Sequence, residues 1–238
     1  MSQVVALVPA FEASDLVGAT VRSLQDTGRV HRIVVIDDGS TDGTADAARA
    51  TDAEVIRLDE NVGKGGALAH GRSLLGDETS IVLLVDSDLG DTAAGVVGLL
   101  DHVRDDRLVI GVPVDAAGRG GFGLVRDLAA EGIERATGWR PVAPLSGQRA
   151  MSVQLFDAID LAPRFAVETA MTIDAIGVGA TVEEVPITVD HRHHGRTWRG
   201  FRHRAVQGAA VLRGLRPRLG TIRTLQVLVV TIVRRFRR

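Results

Sequence analysis

The first hundred residues alternate short apolar runs with segments of helical spacing, and this alternation constrains the fold more than any other feature. The apolar runs have the length and β-branched content of buried strands, and they cover residues 4–8, 33–36, 55–58 and 81–85. Helical spacing is found at residues 15–26, with Ser14 as the expected N-cap, and at residues 44–50 and 64–75. Strands that alternate with single helices pair in parallel. The sequence therefore predicts an α/β fold with a mostly parallel sheet flanked by helices.

Carboxylates directly follow two of these runs. Asp37 and Asp38 come after the second run, and Asp86, Ser87 and Asp88 come after the fourth. Carboxyl ends of parallel strands share one edge of the sheet, where open α/β sheets bind their ligands. Two carboxylates spaced i, i+2 can converge on one hard cation, which can neutralise a diphosphate. A solvated turn in which these carboxylates cap the next helix is the alternative interpretation.

Lys64 is the only lysine in the chain, and glycines flank it at the start of a predicted helix. Glycines let backbone amides approach a ligand closely, and a helix N-terminus favours anions. A phosphate contact and an exposed lysine at the start of a helix are both compatible with this pattern. The chain lacks GxxxxGK[ST], and no GxGxxG follows the first apolar run. Both absences disfavour a P-loop NTPase and a standard dinucleotide enzyme.

The charges are divided unevenly along the chain. Residues 191–238 hold 13 of the 28 basic residues and no Asp or Glu, so 15 basic residues remain in residues 1–190 against all 30 acidic ones. A basic block of this kind suggests an anionic partner. Aromatic residues make up only 3% of the chain, so no stacking platform for single-stranded nucleic acid is visible, and nucleic acid is not expected as a partner. The chain has no cysteine, which excludes disulfides.

Several motifs occur in a diagnostic order. VPAFEA, VIDDGSTDGT, NVGKGGAL and LLVDSDL are followed by PLSGQRAM, FAVETAMTIDAIGVGATVEEVPI and HRHHGRT. Together they resemble family-2 glycosyltransferases with the GT-A fold, particularly dolichyl-phosphate mannosyl or glucosyl transferases and glucosyl-3-phosphoglycerate synthases. The resemblance implies a GT-A domain over residues 1–200, with a nucleotide-sugar half at 1–112 and an acceptor half at 113–200. A basic helical tail would then occupy residues 201–238.

The resemblance implies a metal-dependent glycosyltransferase. Its donor would be a UDP- or GDP-sugar, its cofactor Mg²⁺ or Mn²⁺, and its acceptor a phosphate-bearing molecule, either a polyprenyl phosphate or a phosphoglycerate-like compound. On the donor side the matching positions are Pro9, Ala10, Phe11 and Glu12 for the nucleotide pocket, Asp37 and Asp38 for the base, Lys64 for the diphosphate, and Asp86, Ser87 and Asp88 for the metal-binding segment.

The resemblance also assigns residues on the acceptor side. Gly147 and Gln148 match a segment near the transferred sugar and the acceptor, and Glu168 would orient a sugar hydroxyl or act as a base. His191 is the expected third metal ligand, and Arg192 would contact the donor diphosphate. Asp88, Glu168 and Arg192 are the residues expected to act in catalysis.

The sequence departs from the family pattern at two places. Gly90 stands where similar enzymes often have a glutamine in the metal shell, so Asp91 or water would replace it, and Glu12-Ala13 replaces the usual Asn-Glu. A non-catalytic sugar-nucleotide-binding or membrane-recruited module therefore stays open as an alternative. A nucleotidyltransferase is a second alternative, although VPAFEASD lacks the Gly-rich loop that such enzymes carry after the first strand.

The C-terminal segment combines helical spacing with arginines. Residues 199–215 have a helical pattern that Pro217 is expected to interrupt, and residues 225–233 are apolar without a clean polar face. Nine residues are too few to cross a bilayer, which takes about 20. An anionic membrane surface, packing on the domain and a homodimer contact are the options for this segment. The N-terminus has no signal-peptide pattern, so a cytoplasmic protein is expected, either free or at the membrane periphery.

Overall fold

The computed structural model describes residues 3–114, 123–163, 166–190 and 198–236, with only the backbone for 198–206 and 236. The strands are β1 (Gln3–Ala10), β2 (Arg32–Asp37), β3 (Glu54–Arg57), β4 (Thr79–Leu84), β5 (Arg107–Pro113), β6 (Arg149–Ser152) and β7 (Thr181–Ile187). The helices are α1 (Val17–Gln25), α2 (Thr44–Arg49), α3 (Lys64–Arg72), α4 (Gly123–Thr137), α5 (Val153–Ala158), α6 (Val167–Gly177), α7 (Trp198–Leu219) and α8 (Thr221–Phe236). A 3₁₀ helix covers Gly90–His102.

The seven strands form one sheet in the order β3-β2-β1-β4-β6-β5-β7. Strands β1, β2, β3 and β4 pair in parallel, as do β5 and β7, whereas β6 runs antiparallel to both of its neighbours. The predicted mostly parallel sheet is therefore confirmed. Since β6 is antiparallel, its first residue, Arg149, pairs with Leu84 at the carboxyl end of β4. The carboxyl ends of β1, β2 and β4 and the amino end of β6 thus meet at one edge.

The sheet is buried on both faces, which explains why its strands are almost continuously apolar. Along β1, Val4, Ala6 and Val8 face a core shared with α1, α2 and the 3₁₀ helix. The alternate residues Val5 and Leu7 face a second core shared with α3, α5 and α6. This two-sided burial fixes the register of the sheet, and with it the place where each strand ends.

Helices α4, α6, α7 and α8 build a third core away from the sheet. Val125 and Ile133 of α4 pack there with Ile173 of α6, Leu215 of α7 and Val227 of α8. The C-terminal helices therefore share apolar contacts with the body of the chain. The division into a domain of residues 1–200 and a tail of residues 201–238 stays a prediction.

Two local expectations were wrong. Ser14 does not cap α1, because the helix begins at Val17 with Leu16 at the N-cap position, and no side chain there accepts a first-turn amide. Pro217 does not interrupt α7, which continues to Leu219.

Pro217 lies in the last turn of α7, and the helix ends two residues later, before Gly220. Gly220 adopts a positive φ of 78° and donates its amide to the Arg216 carbonyl. The end of α7 is therefore set by the glycine rather than by the proline.

Candidate active site

An ion-paired cluster lies at the carboxyl edge of the sheet, and Lys64 is at its centre. The Lys64 ammonium lies 2.5 Å from Asp86 Oδ1 and 2.7 Å from Glu168 Oε1. Burial alone would lower the pKa of Lys64, but the Asp86 and Glu168 carboxylates outweigh it and raise the pKa above its ordinary value. Lys64 therefore stays charged across the physiological range. The structure brings together three residues that are far apart in the sequence and were predicted separately.

Gln148 fixes the orientation of Asp86. Its side-chain amide donates to Asp86 Oδ2 at 2.6 Å, and its carbonyl oxygen accepts the Asp86 backbone amide at 3.1 Å. These contacts follow from the antiparallel pairing of β4 with β6, which places residue 148 opposite the end of β4. Gly147 leaves the necessary space, because a Cβ at this position would collide with Lys64 Nζ and both Asp86 carboxylate oxygens. Only glycine fits against this ion pair.

Arg149 is a fully buried cation beside the cluster, and it is the residue that sequence reasoning missed. It donates from Nε to the Ser146 carbonyl at 2.9 Å and from Nη1 to Thr172 Oγ1 at 3.0 Å. Its Nη2 is buried without a hydrogen-bond partner among the described residues. Burial lowers its pKa to about 10, against the attraction of Glu168, Glu184 and Asp86. The sequence carried no local signal for it, because only two of the four residues of β6 are apolar.

Asp38 supports the loop that carries Lys64. Its two carboxylate oxygens accept the backbone amides of Val62 at 2.7 Å and Gly63 at 2.8 Å, immediately before α3 begins at Lys64. Asp37 is almost fully buried and accepts the Ser40 amide at 3.0 Å. The pair thus shapes two loops at the binding edge, and a contact between one of these carboxylates and the base stays a prediction.

The loop after β1 is tied to the loop after β2. Glu12 has a positive φ of 52°, which is uncommon for a residue with a side chain. Its amide donates to Ser40 Oγ at 3.0 Å, and its carboxylate accepts the Thr41 amide at 2.9 Å. The Phe11 side chain, which follows the buried Ala10, is half exposed, and Glu12 is exposed as well. A nucleotide pocket formed by Pro9 to Glu12 stays a prediction.

Asp88 and Ser87 follow Asp86 in a turn that α1 supports. Thr20 Oγ1 donates to the Ser87 carbonyl at 3.0 Å and accepts the Gly90 amide at 2.9 Å. Asp86 and Asp88 offer carboxylate oxygens, the donors that Mg²⁺ and Mn²⁺ prefer, so these residues fit such a cation. Within residues 3–114, 123–163, 166–190 and 198–236, no three acidic or histidine side chains group as a metal site. The predicted ligand His191 and the predicted phosphate contact Arg192 lie outside the described residues.

Comparison with known proteins decides the family. The sequence profile of glycosyl transferase family 2 matches residues 5–158 of this chain. The chain belongs to glycosyl transferase family 2. This membership confirms the resemblance inferred from the motifs and the prediction of a glycosyltransferase.

Among the curated members of this glycosyltransferase family, the chain is similar to a glucosyl-3-phosphoglycerate synthase of Mycolicibacterium paratuberculosis. The two are 30% identical over 218 residues, which cover 79% of this chain and 65% of that protein. A synthase of the same kind from Mycobacterium tuberculosis is 31% identical over 188 residues, 56% of its length. The chain therefore spans less than two thirds of the length of either relative.

Solved structures establish the GT-A fold. The glucosyl-3-phosphoglycerate synthase of Mycobacterium tuberculosis, solved with Mn²⁺, UDP-glucose and phosphoglyceric acid, superposes on 92% of this chain with a TM-score of 0.75 at 24% identity, over 80% of its own chain. Mannosyl-3-phosphoglycerate synthase from Rubrobacter xylanophilus superposes with a TM-score of 0.76 at 26% identity, over 92% of this chain and 74% of its own. The predicted GT-A architecture is thereby confirmed.

Proposed function

We propose that this protein is a metal-dependent glycosyltransferase that moves a sugar from a UDP-sugar to a small phosphate-bearing acceptor of the phosphoglycerate type. The observation that carries the proposal is the Lys64 ammonium held between Asp86 and Glu168 at the carboxyl edge of the sheet. This edge is where open α/β sheets bind nucleotides. The similarity to glucosyl-3-phosphoglycerate synthases supports the choice of donor and acceptor.

Lys64 is suited to stabilising a departing nucleoside diphosphate. It stands at the first position of α3, where the free backbone amides of the first turn also favour a phosphate. Because Asp38 fixes the two preceding amides, the ammonium is positioned before any ligand arrives. A preorganised cation of this kind stabilises charge as it develops on the leaving group.

The two carboxylates around Lys64 would have different tasks. Asp86, held by Gln148, would bind a divalent cation together with Asp88, and that cation would supply charge compensation at the diphosphate. Glu168, in the first turn of α6, can accept a hydrogen bond from a sugar hydroxyl. Arg149 lies behind both and holds its place through Thr172, so it acts as a positioning residue.

The segment that follows α4 would form the acceptor side of the site. Glu184 of β7 accepts the amides of Val142 at 2.9 Å and Ala143 at 2.7 Å, which fixes the path of the chain into Gly147 and Gln148. This segment thus reaches the cluster in one conformation. Arg192, if it follows the family pattern, would add a further cation near the phosphates. A polyprenyl phosphate presents the same phosphate chemistry and is the competing acceptor.

The direct test is transfer from UDP-glucose in the presence of Mn²⁺, with 3-phosphoglycerate or a short polyprenyl phosphate as the acceptor. Release of UDP together with a glycosylated phosphoglycerate, identified by mass spectrometry, is the expected result. Asp88→Ala should abolish the product, and Asp52→Ala, which removes an exposed carboxylate of a turn, should not.

Two outcomes would contradict the proposal. Full activity in Asp88→Ala would remove the metal from the account. Binding of UDP-glucose without turnover on either acceptor would favour a non-catalytic sugar-nucleotide-binding module.

A further inference from the structure

Helix α8 has its polarity reversed relative to an ordinary surface helix. Its buried side carries Thr224, Val227 and Thr231, all at most 6% exposed. The two threonine hydroxyls donate to carbonyls of their own helix four residues earlier, each at 2.8 Å. The opposite side carries five large apolar residues, Ile222, Leu225, Val229, Ile232 and Val233, which we call the α8 stripe. A helix that served only to cover the core would have the reverse arrangement.

The α8 stripe is strongly exposed. Ile222 is 75% exposed, Val229 59% and Leu225 57%, whereas Ile232 and Val233 are about two fifths exposed at 38% and 42%. Spacings of three and four residues place them on one face, and the sequence interpretation of residues 225–233 as lacking a clean polar face was therefore incomplete. Single exposed apolar residues are common, but a contiguous stripe of five indicates a binding surface.

Contacts with the body fix the direction in which the α8 stripe points. Val227 packs into the third core with Val125 and Leu128 of α4. Near the C-terminal end of α8, Arg234 Nη1 lies 2.5 Å from Glu131 Oε2. Rotating the helix to bury the stripe would break both contacts. The stripe is therefore a property of the folded protein and not of a loosely attached segment.

Positive charge is concentrated on the two C-terminal helices. Helices α7 and α8 contain no Asp or Glu, and Arg213, Arg216 and Arg223 are exposed on them. The rest of the chain, residues 1–190, has a twofold excess of acidic over basic residues. Apolar side chains bordered by arginines match an anionic bilayer, which offers acyl chains and negative headgroups together. A symmetric second copy would instead bring like charges into contact.

We propose that α8 docks the protein on an anionic lipid surface, with the α8 stripe inserted at the boundary between the headgroups and the acyl chains. Sixteen residues make a helix about 24 Å long, shorter than the hydrocarbon core of about 30 Å. In the part of the chain that the structure describes, no helix is long and apolar enough to cross a membrane. The helix therefore lies in the plane of the interface, and the acidic body is turned away from the lipid. This inference rests on α7 and α8 and does not depend on the proposed catalytic activity.

The test is flotation of the full chain with vesicles of phosphatidylcholine alone and of phosphatidylcholine containing 30% phosphatidylglycerol. We expect binding to the anionic vesicles, little binding to the neutral ones, and a decline as salt is raised. Leu225→Gln with Val229→Gln should lower the partition coefficient about tenfold or more, because both side chains lose their insertion. The matched control is Val142→Gln with Val178→Gln, two exposed valines outside α8, which should bind like the wild type.

A second variant separates charge from insertion and serves if the first one misfolds. Arg213→Gln with Arg223→Gln leaves the α8 stripe intact and should weaken binding to anionic vesicles roughly tenfold or more. Absence of binding to anionic vesicles by the wild type would overturn the proposal. Binding by both glutamine variants at the wild-type level would also overturn the proposal. Sedimentation velocity would overturn it in favour of a second copy if the wild type self-associates and the glutamine variant of the stripe does not.

Discussion

Two clusters of buried charge occupy this molecule, and they resemble each other until their surroundings are compared. The first joins Lys64 to Asp86 and Glu168 at the edge of the sheet. The second places Glu131, only 4% exposed, among the arginines of two helices and a loop, with Arg234 at 2.5 Å and Arg135 at 3.2 Å. Both neutralise a carboxylate in a partly dry environment. Neither burial nor charge alone separates them.

The places of the two clusters in the fold distinguish them. The Lys64 cluster lies where three strands end together, and the Gly147 backbone packs directly against it. The Glu131 cluster lies between α4 and α8, far from any strand end in the sequence, and its arginines reach it from the solvent side. It lines a cavity of about 300 Å³. The difference teaches that neither buried charge nor an adjoining cavity indicates a nucleotide site by itself, whereas a position at the carboxyl edge of the sheet does.

The largest expected effect is the loss of activity in Lys64→Ala. Removal of the ammonium should lower kcat/KM about 10²- to 10³-fold, because the leaving diphosphate loses its preorganised cation. Steady-state UDP release measures this loss. Arg49→Ala, which removes an exposed arginine at the end of α2, is the control and should retain activity. Because two carboxylates remain together in Lys64→Ala, circular dichroism should verify its fold. Wild-type activity in a folded variant would remove Lys64 from the mechanism.

Gly147→Ala tests whether the close packing of the Gly147 backbone against the Lys64 cluster matters for ligand binding. The new methyl group would displace either the ammonium or the Asp86 carboxylate, so UDP should bind roughly tenfold more weakly. Gly98→Ala is the matched control, because a Cβ there meets open space. Calorimetric titration with UDP and Mn²⁺ compares the two variants. Unchanged affinity in Gly147→Ala would mean that the ligand does not use this position.

Glu131→Gln tests the second cluster, where we expect a loss of stability and no loss of UDP affinity. It should destabilise the protein by about 1–3 kcal/mol, because the buried network of arginines loses its negative charge and one of its two acceptor oxygens. Glu134→Gln, which alters a carboxylate that is two fifths exposed, should change stability by less than about 0.5 kcal/mol. Urea denaturation measures both. UDP affinity should stay at the wild-type value in each, and a loss of affinity in Glu131→Gln would link the two clusters.

The smallest effect concerns the loop that supports the binding edge. Burial would raise the pKa of Asp42, but hydrogen bonds from Thr44 and Ser14 outweigh it and lower the pKa to about 2. The stabilisation is therefore complete above about pH 4, the unfolded value, and is lost as the pH falls towards 2. The difference in urea midpoint between the wild type and Asp42→Asn should shrink over that window. A constant difference from pH 5 to pH 2.5 would contradict this assignment.

The sequence was most informative where local pattern and strand position coincide. Alternating apolar runs predicted the first four strands of the sheet, and the carboxylates after β2 and β4 indicated its binding edge. The short strand β6 has no apolar run of its own, because Arg149 and Ser152 occupy half of its four positions. Its antiparallel pairing, which brings Gln148 to Asp86, could not be derived from spacing.

The partners of Lys64 were likewise beyond local reasoning. Glu168 lies more than a hundred residues away and reaches Lys64 only because α6 packs beneath the sheet. Asp174 lies on the same helix as Glu168, but it pairs with Arg218 of α7 and takes no part in the Lys64 cluster. In the same way, the face of α8 that points outward depends on which face packs against α4. The local sequence pattern does not determine this packing.

The most direct test of the account is a calorimetric titration of UDP, with and without Mn²⁺, into the wild type, Asp86→Asn and Glu131→Gln. The account predicts Mn²⁺-dependent binding to the wild type and to Glu131→Gln, and affinity at least about tenfold weaker in Asp86→Asn, which would lose a proposed metal ligand. Equal affinity in Asp86→Asn and the wild type, or no binding to the wild type at all, would contradict the assignment of the Lys64 cluster as the donor site.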